Sequence, residues 1–278
     1  MAGRRISLAA LTSAQRTVVI TMTAALALII TVVTASLVSG SGSDVAHAAS
    51  PTADQGKSSS ASPKPHTTAP RTPAVPAVPD SIQHQAEAPG KAVNITIDDG
   101  PDPVWTPKVL QVLKQFHVHA TFCMIGPQAK ANPALVRRVV AEGHRLCDHT
   151  VSHDESMDHK PFAYQKKEIL DAQDMITTAA GGTRVQYYRA PGGAFTPASR
   201  ALAAQHGMRP LGWNIDTKDF SRPGVATIIS TLKYEIGNGP TILFHDGGGD
   251  RTQTVAALKQ ALPWLAQQGY AFSFPKVK

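Results

Sequence analysis

The sequence Thr96-Ile97-Asp98-Asp99-Gly100 ends a short apolar run that begins at residue 93 and is rich in β-branched side chains. Such a run is typical of a buried strand. Two adjacent carboxylates at its end are costly because like charges repel, so a cation, an arginine or solvent must offset that cost. Taken alone, Asp-Asp-Gly is most often a solvated turn. Its interpretation therefore depends on the other strand ends of the chain.

Strand-like and helix-like segments alternate from residue 91 onward. This alternation predicts βαβ units and a parallel sheet. Polar residues follow the strand ends, where α/β barrels keep their active sites, which favours a barrel over an open sheet. The predicted strands are 93–97, 120–125, 144–147, 186–189, 210–214, 241–244 and 270–274, and the predicted helices are 107–116, 132–142, 161–180, 196–207, 223–236 and 252–268.

Two histidines follow the third predicted strand. His149 and His153 are spaced i, i+4, so they can converge on one side of a helical turn and bind a metal ion. Core or solvated histidines explain the pair equally well. After the fourth strand comes Arg189-Ala190-Pro191-Gly192-Gly193, where glycines let backbone N–H groups approach a ligand. A tight turn with a surface arginine is the alternative.

The next two strand ends also carry polar side chains. Asp216 and Asp219 follow the fifth strand, and His245 and Asp246 follow the sixth. An acidic loop, a core histidine and a capping aspartate are adequate explanations one at a time. Five of the seven predicted strand ends carry such residues, and together they nevertheless indicate one shared site. Two histidines and a carboxylate form a catalytic zinc-type ligand set, in which one of two adjacent aspartates ligates the metal and the other stays free as a base.

These five segments, in this order, resemble the motifs of the NodB-type polysaccharide deacetylases, carbohydrate esterase family 4. The resemblance covers nearly all of residues 91–278. It implies a distorted (β/α)7 barrel and metal-dependent removal of acetyl groups from carbohydrate. Ile97 replaces the family's usual Phe, Phe220 replaces Trp, and Gly192 stands where many members have Tyr. The matching segments are 96–100, 149–153, 189–192, 216–220 and 243–245.

The resemblance implies a metal ion and a base on one side of the site. Asp99, His149 and His153 would hold one divalent metal ion. The ligand types favour zinc, with cobalt or nickel as alternatives. Asp98 would take a proton from the attacking water, and Arg189 would orient Asp98.

The resemblance also implies an acid and a substrate wall on the other side. His245 would protonate the leaving amine, and Asp219 would orient and charge His245. The Gly192 N–H would hold the oxyanion of the tetrahedral intermediate. Phe220 and Leu243 would line the apolar wall around the acetyl group or sugar.

We therefore expect a monomeric, metal-dependent hydrolase that removes N-acetyl groups from N-acetylglucosamine-containing polysaccharide, either chitin oligomers or peptidoglycan. An acetylxylan esterase with the same site is the nearest alternative. A catalytically inactive, cell-surface carbohydrate-binding module is a second alternative, although binding alone does not require an acid–base pair. A third alternative is a metal-dependent phosphoester hydrolase. Such an enzyme usually needs two metal ions and more ligands, whereas the residues here support one metal ion.

The N-terminal segment predicts export from the cytoplasm. Arginines at positions 4, 5 and 16 precede an apolar run at 17–38 that is long enough to span a bilayer. Ala46-His47-Ala48 resembles a signal-peptidase site. We favour a signal peptide over residues 1–48, cleaved after Ala48, rather than an uncleaved anchor, which would be the chain's only membrane contact. Residues 49–90 predict a disordered linker, and residues 91–278 the catalytic domain. Either way, the catalytic domain is extracytoplasmic.

The charge pattern argues against a nucleic-acid partner, and the cysteine spacing argues against a cysteine metal site. The formal net charge is +7, but no Lys/Arg run or interleaving of aromatic and basic residues occurs, so we expect no nucleic-acid partner. The two cysteines, Cys123 and Cys147, lie in strand-like runs and lack the spacing of a metal site. A disulfide and two buried thiols both remain open.

Overall fold

The computed structural model describes residues 77–278. The predicted signal peptide or anchor lies outside this range, as does most of the predicted linker. Between residues 77 and 278, no helix combines the length and the apolar character needed to cross a membrane.

The described part of the predicted linker packs against the sheet. Gln83 forms a bridge with Leu211, and Ala86 forms one with Pro275. Val78 is buried. The packed part of the chain therefore begins before residue 91. Its backbone N–H groups at Gln83 and Glu87 donate to the carbonyls of Pro210 and Phe274.

A parallel sheet forms the centre of the molecule. All seven residues of its first strand, β1, are buried, as expected for a strand covered on both faces. Most of the predicted strands are present with small shifts at their ends. The strands are β1 (Ala92–Asp98), β2 (Ala120–Met124), β3 (Arg145–Asp148), β4 (Tyr187–Tyr188), β5 (Arg209–Pro210), β6 (Ile215–Asp216), β7 (Thr241–His245) and β8 (Ala271–Ser273).

The strand order is β5-β4-β3-β2-β1-β7-β6, with β8 paired to the start of β1. The sheet curves into a half-barrel covered by helices, which confirms the predicted distorted (β/α) barrel. Within residues 77–278, β5 and β6 are not paired with each other. The helices are α1 (Trp105–Gln115), α2 (Gly126–Ala131), α3 (Pro133–Ala141), α4 (Phe162–Ala179), α5 (Pro197–Gln205), α6 (Val225–Glu235) and α7 (Thr252–Gln267).

One predicted strand was wrong, and one short helix was not predicted. The strand predicted at 210–214 is two short strands on opposite edges of the sheet, because the chain crosses the barrel between β5 and β6. The short helix α2 was missed. Asn132, the residue between α2 and α3, makes no side-chain capping hydrogen bond to α3. Its side chain instead donates to the Gln128 carbonyl, so Asn132 separates two helices.

The register of β1 sets the positions of the polar residues. Asp98 at the end of β1 lies beside Cys123 of β2 and His245 of β7. Because the strands are parallel, their carboxyl ends meet at one edge of the sheet. The polar residues after each strand therefore converge there, while the apolar core lies between the sheet and the helices.

The two cysteines form a disulfide. Cys123 and Cys147 are register partners in β2 and β3, and their sulfurs are bonded. The pair lies in a small buried cluster with Tyr187 and Leu211. This resolves the choice between a disulfide and two free thiols.

Removing the disulfide should destabilise the protein. The bond closes a loop of 24 residues, so the chain-entropy model predicts a loss of about 3 kcal/mol in the free energy of unfolding for Cys123→Ala with Cys147→Ala. Urea unfolding with and without a reductant measures the difference. Equal midpoints for the oxidised, reduced and doubly substituted proteins would contradict this prediction.

Candidate active site

The two adjacent aspartates point to different partners. Asp98 is the last residue of β1, and Asp99 adopts a left-handed conformation with φ of 76°. This conformation is uncommon for a residue with a side chain and marks functional sites. The reversal separates the two carboxylates: Asp98 pairs with Arg189, whereas Asp99 lies beside His149 and His153.

Arg189 is a buried cation that donates four hydrogen bonds. Its side chain is 0% exposed, and Nη1 donates to Asp98 Oδ1 at 2.7 Å. Charge-assisted bonds of this kind are short and strong. The remaining donors reach oxygens of β1 and of the segment between β5 and β6: Thr96 Oγ1 at 3.0 Å, the Leu211 carbonyl at 3.2 Å and the Gly212 carbonyl at 3.0 Å. The sequence alternative of a surface arginine is therefore excluded.

Asp99, His149 and His153 form a three-residue group suited to a metal ion. One ligand atom from each lies within 4.8 Å of the others. Asp99 Oδ1 is 3.6 Å from His149 Nε2 and 3.2 Å from His153 Nε2. This buried oxygen accepts no well-aligned hydrogen bond. An orphaned buried carboxylate oxygen facing two imidazole nitrogens fits a divalent cation.

His149 is held in the tautomer that a metal requires. Its Nδ1 lies 2.7 Å from the Arg189 carbonyl. Because a carbonyl can only accept, Nδ1 carries the proton and Nε2 is free to ligate.

The i, i+4 spacing predicted that His149 and His153 lie on one helical turn. The structure shows that they do not. Residues 149–153 form a loop in which Thr150 and His153 have φ of 68° and 55°. The left-handed conformations bring the rings together, with their centroids 4.8 Å apart.

His245 and Asp219 form a second buried pair. His245 Nδ1 is 2.8 Å from Asp219 Oδ1, and the His245 backbone N–H donates to Oδ2 at 3.0 Å. Thr254 in α7 also donates to Oδ2, at 2.6 Å. Burial lowers the pKa of His245, but the hydrogen bond and charge of Asp219 outweigh it and raise that pKa to about 8. The neighbouring charges of Asp98 and Asp99 contribute to the same rise in pKa.

These groups line one cleft of about 450 Å³. Asp98, Asp99, His149, His153 and His245 lie in its wall, while Arg189 and Asp219 are buried behind it. Three further residues predicted for the site also line the cleft: Gly192, Phe220 and Leu243.

The sequence and fold match one family. A family model described as polysaccharide deacetylase matches residues 85–211. The peptidoglycan-N-acetylglucosamine deacetylase of Bacillus cereus is 39% identical over 187 residues, covering 66% of this chain and 85% of the relative. The chain belongs to the polysaccharide deacetylase family.

The chain is also similar to a second deacetylase in sequence and to a solved esterase in structure. The chitooligosaccharide deacetylase of Sinorhizobium fredii is 36% identical to this chain. The alignment covers 64% of this chain and 87% of the relative. The solved structure of a family 4 carbohydrate esterase from Streptomyces lividans superimposes with a TM-score of 0.60 at 30% identity. That comparison covers 66% of this chain and 93% of the esterase.

Several cleft residues of this deacetylase-family member were missed by the sequence analysis. Trp213, Glu155, Lys218 and Arg251 all line the cleft. Their signal in the sequence is weak, because single aromatic and charged residues in loops are common. Phe220 stands at the usual Trp position with 43% of its surface exposed, and its ring meets His245 edge-on at 5.3 Å.

Asp246 is neither a turn residue nor a helix cap. It is fully buried and accepts a hydrogen bond from Thr106 Oγ1 at 2.6 Å. Burial raises the pKa of Asp246 to about 7. A Cβ at Gly100 would lie 2.2 Å from Asp246 Oδ1, so the glycine of the Asp-Asp-Gly segment is required by close packing.

The Asp219 charge should control the titration of His245. In the metal-free protein we expect Asp219→Asn to lower the pKa of His245 from about 8, because the negative charge that favours the imidazolium is removed. The imidazolium would then be lost at a lower pH. Imidazole NMR chemical shifts measured against pH report this change.

Asp216→Asn is the matched control for that titration. Asp216 ends β6, three residues before Asp219, and pairs with Lys218 at 2.6 Å. An unchanged His245 titration in Asp219→Asn, or an equal shift in both variants, would contradict the assignment.

Proposed function

We propose that this protein is a metal-dependent hydrolase that removes N-acetyl groups from N-acetylglucosamine-containing polysaccharide, as the names of its relatives indicate for those proteins. One observation carries the proposal. A three-residue metal group, a carboxylate held by a buried arginine, and a histidine–aspartate pair face the same cleft. A module that only binds carbohydrate does not require these three groups in one cleft.

We assign the metal site to Asp99, His149 and His153. The donor set favours zinc, with cobalt or nickel as alternatives. When bound, a divalent ion supplies Lewis-acid polarisation and lowers the pKa of water towards about 7. Each histidine presents Nε2 towards Asp99 Oδ1.

Asp98 is the proposed base. Arg189 occupies its Oδ1, while Oδ2 lies 3.6 Å from His149 Nε2 on the side of the metal group. Oδ2 is therefore placed to take a proton from a water molecule beside that group.

His245 is the proposed acid on the opposite side. Asp219 binds Nδ1, which leaves Nε2–H to donate a proton to the departing nitrogen. An amide needs this acid more than an ester does, because an amine anion is a far poorer leaving group than an alkoxide. The pKa of about 8 keeps His245 protonated at neutral pH.

The remaining predicted residues form the proposed substrate wall. Gly192 lines the cleft in a left-handed conformation with φ of 58°, and its N–H is our candidate donor to the oxyanion. One such donor is typically worth about 3 kcal/mol of barrier. Phe220 and Leu243 supply apolar surface for the acetyl methyl group.

We further propose that the catalytic domain acts outside the cytoplasm. The predicted N-terminal export segment motivates this location, and the Cys123–Cys147 disulfide supports it, since disulfides persist in oxidising compartments.

Acetate release tests the proposed activity and its metal requirement. The purified protein should release acetate from chitin oligomers or peptidoglycan, lose that activity with a chelator, and regain it with added zinc, cobalt or nickel. Acetylxylan is the comparison substrate for the esterase alternative. Full activity in excess chelator would refute the metal mechanism, and no release from any acetylated carbohydrate would refute the enzyme.

Asp98→Asn separates the base from the metal group. We expect kcat to fall by about 10² to 10⁴, as for loss of a general base, with the metal content unchanged. Asp171→Asn removes a carboxylate on α4 that pairs with Lys167 away from the cleft, so it serves as the control. Wild-type kcat in Asp98→Asn would refute the assignment of the base.

His149→Ala tests the metal ligands directly. We expect the purified variant to lose bound metal, because three protein ligands become two. Elemental analysis measures the metal content. His159 has an exposed side chain away from the cleft, and His159→Ala should keep the metal. Full metal content in His149→Ala would remove this residue from the ligand set.

A further inference from the structure

Arg251 is a buried cation in the cleft wall that none of the proposed chemical steps uses. It immediately precedes α7 and is 3% exposed. Its guanidinium donates to three backbone carbonyls: Gly247 at 2.6 Å, Gly248 at 3.0 Å and Phe220 at 3.1 Å.

The bonds of Arg251 are unusual for a buried charge. Its hydrogen bonds within residues 77–278 all go to carbonyl oxygens and none to a carboxylate. Burying a charge is costly unless hydrogen bonds compensate. The planar fork of arginine reaches several acceptors at once, which a lysine does not. The arrangement therefore fixes the geometry of the backbone that supplies the carbonyls.

Two of the carbonyls belong to the loop that supports Asp99. A Cβ at Gly247 would lie 2.2 Å from the Asp99 carbonyl oxygen, so only glycine fits there. A Cβ at Gly248 would lie 3.0 Å from Arg251 Nη2 and 3.4 Å from Asp99 Oδ2. Gly248 therefore stands between the guanidinium and the Asp99 carboxylate.

The third carbonyl belongs to the short 3₁₀ turn Asp219–Ser221. This turn carries Asp219, the partner of His245, and Phe220, part of the cleft wall. The first turn of α7 holds the same region at two more points. Thr254 donates to Asp219, and Gln253 accepts from the Gly224 N–H at 2.7 Å.

We propose that Arg251 is a positioning residue that ties the metal-ligand side of the cleft to the acid side. The inference rests on the proposed function, because it assigns Asp99 to the metal and the His245–Asp219 pair to proton donation. The Arg251 fork sets the spacing of these two sides. Small displacements of reacting groups cost large factors in rate.

Arg251→Met, which removes the fork but keeps the apolar stem, tests the proposal. We expect kcat at saturating metal and substrate to fall by about 10- to 100-fold and metal affinity to fall by about tenfold. Amide hydrogen exchange should accelerate at residues 219–224 and 246–249. Arg251→Lys keeps the charge but lacks the fork, so it should resemble Arg251→Met.

Arg209→Met is the matched control. Arg209 is also buried, at 6% exposure, and its guanidinium bonds to Ser81 and Val277 away from the cleft. We expect it to lower the thermal unfolding midpoint while kcat and metal affinity stay within about twofold of wild type, since distant sites act independently.

The outcomes separate this inference from the proposed function. Equal changes in Arg251→Met and Arg209→Met, or wild-type kcat and metal affinity in Arg251→Lys, would overturn the positioning role. If the wild-type protein released no acetate, the proposed function would fail. Hydrogen exchange and metal titration would still test Arg251, and wild-type behaviour of Arg251→Met in both would overturn its role.

Discussion

The buried ion pair between Arg189 and Asp98 is the interaction around which the site is built. Both side chains are almost fully buried, and removing one partner of such a pair typically costs about 3 to 5 kcal/mol because the other charge is left unpaired. Arg189 also bonds Thr96 of β1 and the carbonyls of Leu211 and Gly212. One guanidinium therefore fixes the end of β1 and the chain segment that crosses between β5 and β6.

Because Asp98 is held by Arg189, the two adjacent aspartates have different backbone conformations and different partners. Asp98 continues β1 and is committed to Arg189. Asp99 turns into a left-handed conformation and meets two histidines that themselves lie in a loop with left-handed residues. Conformations of this kind cost free energy and persist where the surroundings fix them. Here the surroundings are the glycine loop of Gly247 and Gly248 and the packing of Gly100 on Asp246.

The sequence predicted much of the fold and placed several polar side chains that the structure brings to one cleft. Strand and helix periodicity identified most of the elements, and the family-like order of the polar segments identified a part of the residues that line or support the cleft, without Trp213 and Arg251. Periodicity failed between residues 209 and 216, where the single strand predicted at 210–214 covers the crossing between two edges of the sheet. It failed again at His149 and His153, because i, i+4 spacing does not distinguish a helical turn from a loop with left-handed residues.

The sequence by itself determined the alternation of elements, the family, and the set of side chains at the strand ends, because these follow from local spacing and residue type. Only the tertiary structure decided which aspartate faces Arg189, whether the cysteines are bonded, and what Asp246 and Arg251 contact. Those properties depend on register between distant strands and on packing across the barrel. The segment Thr96–Gly100 shows both levels: its residues identify the site, and its place beside β2 and β7 gives each carboxylate a separate partner.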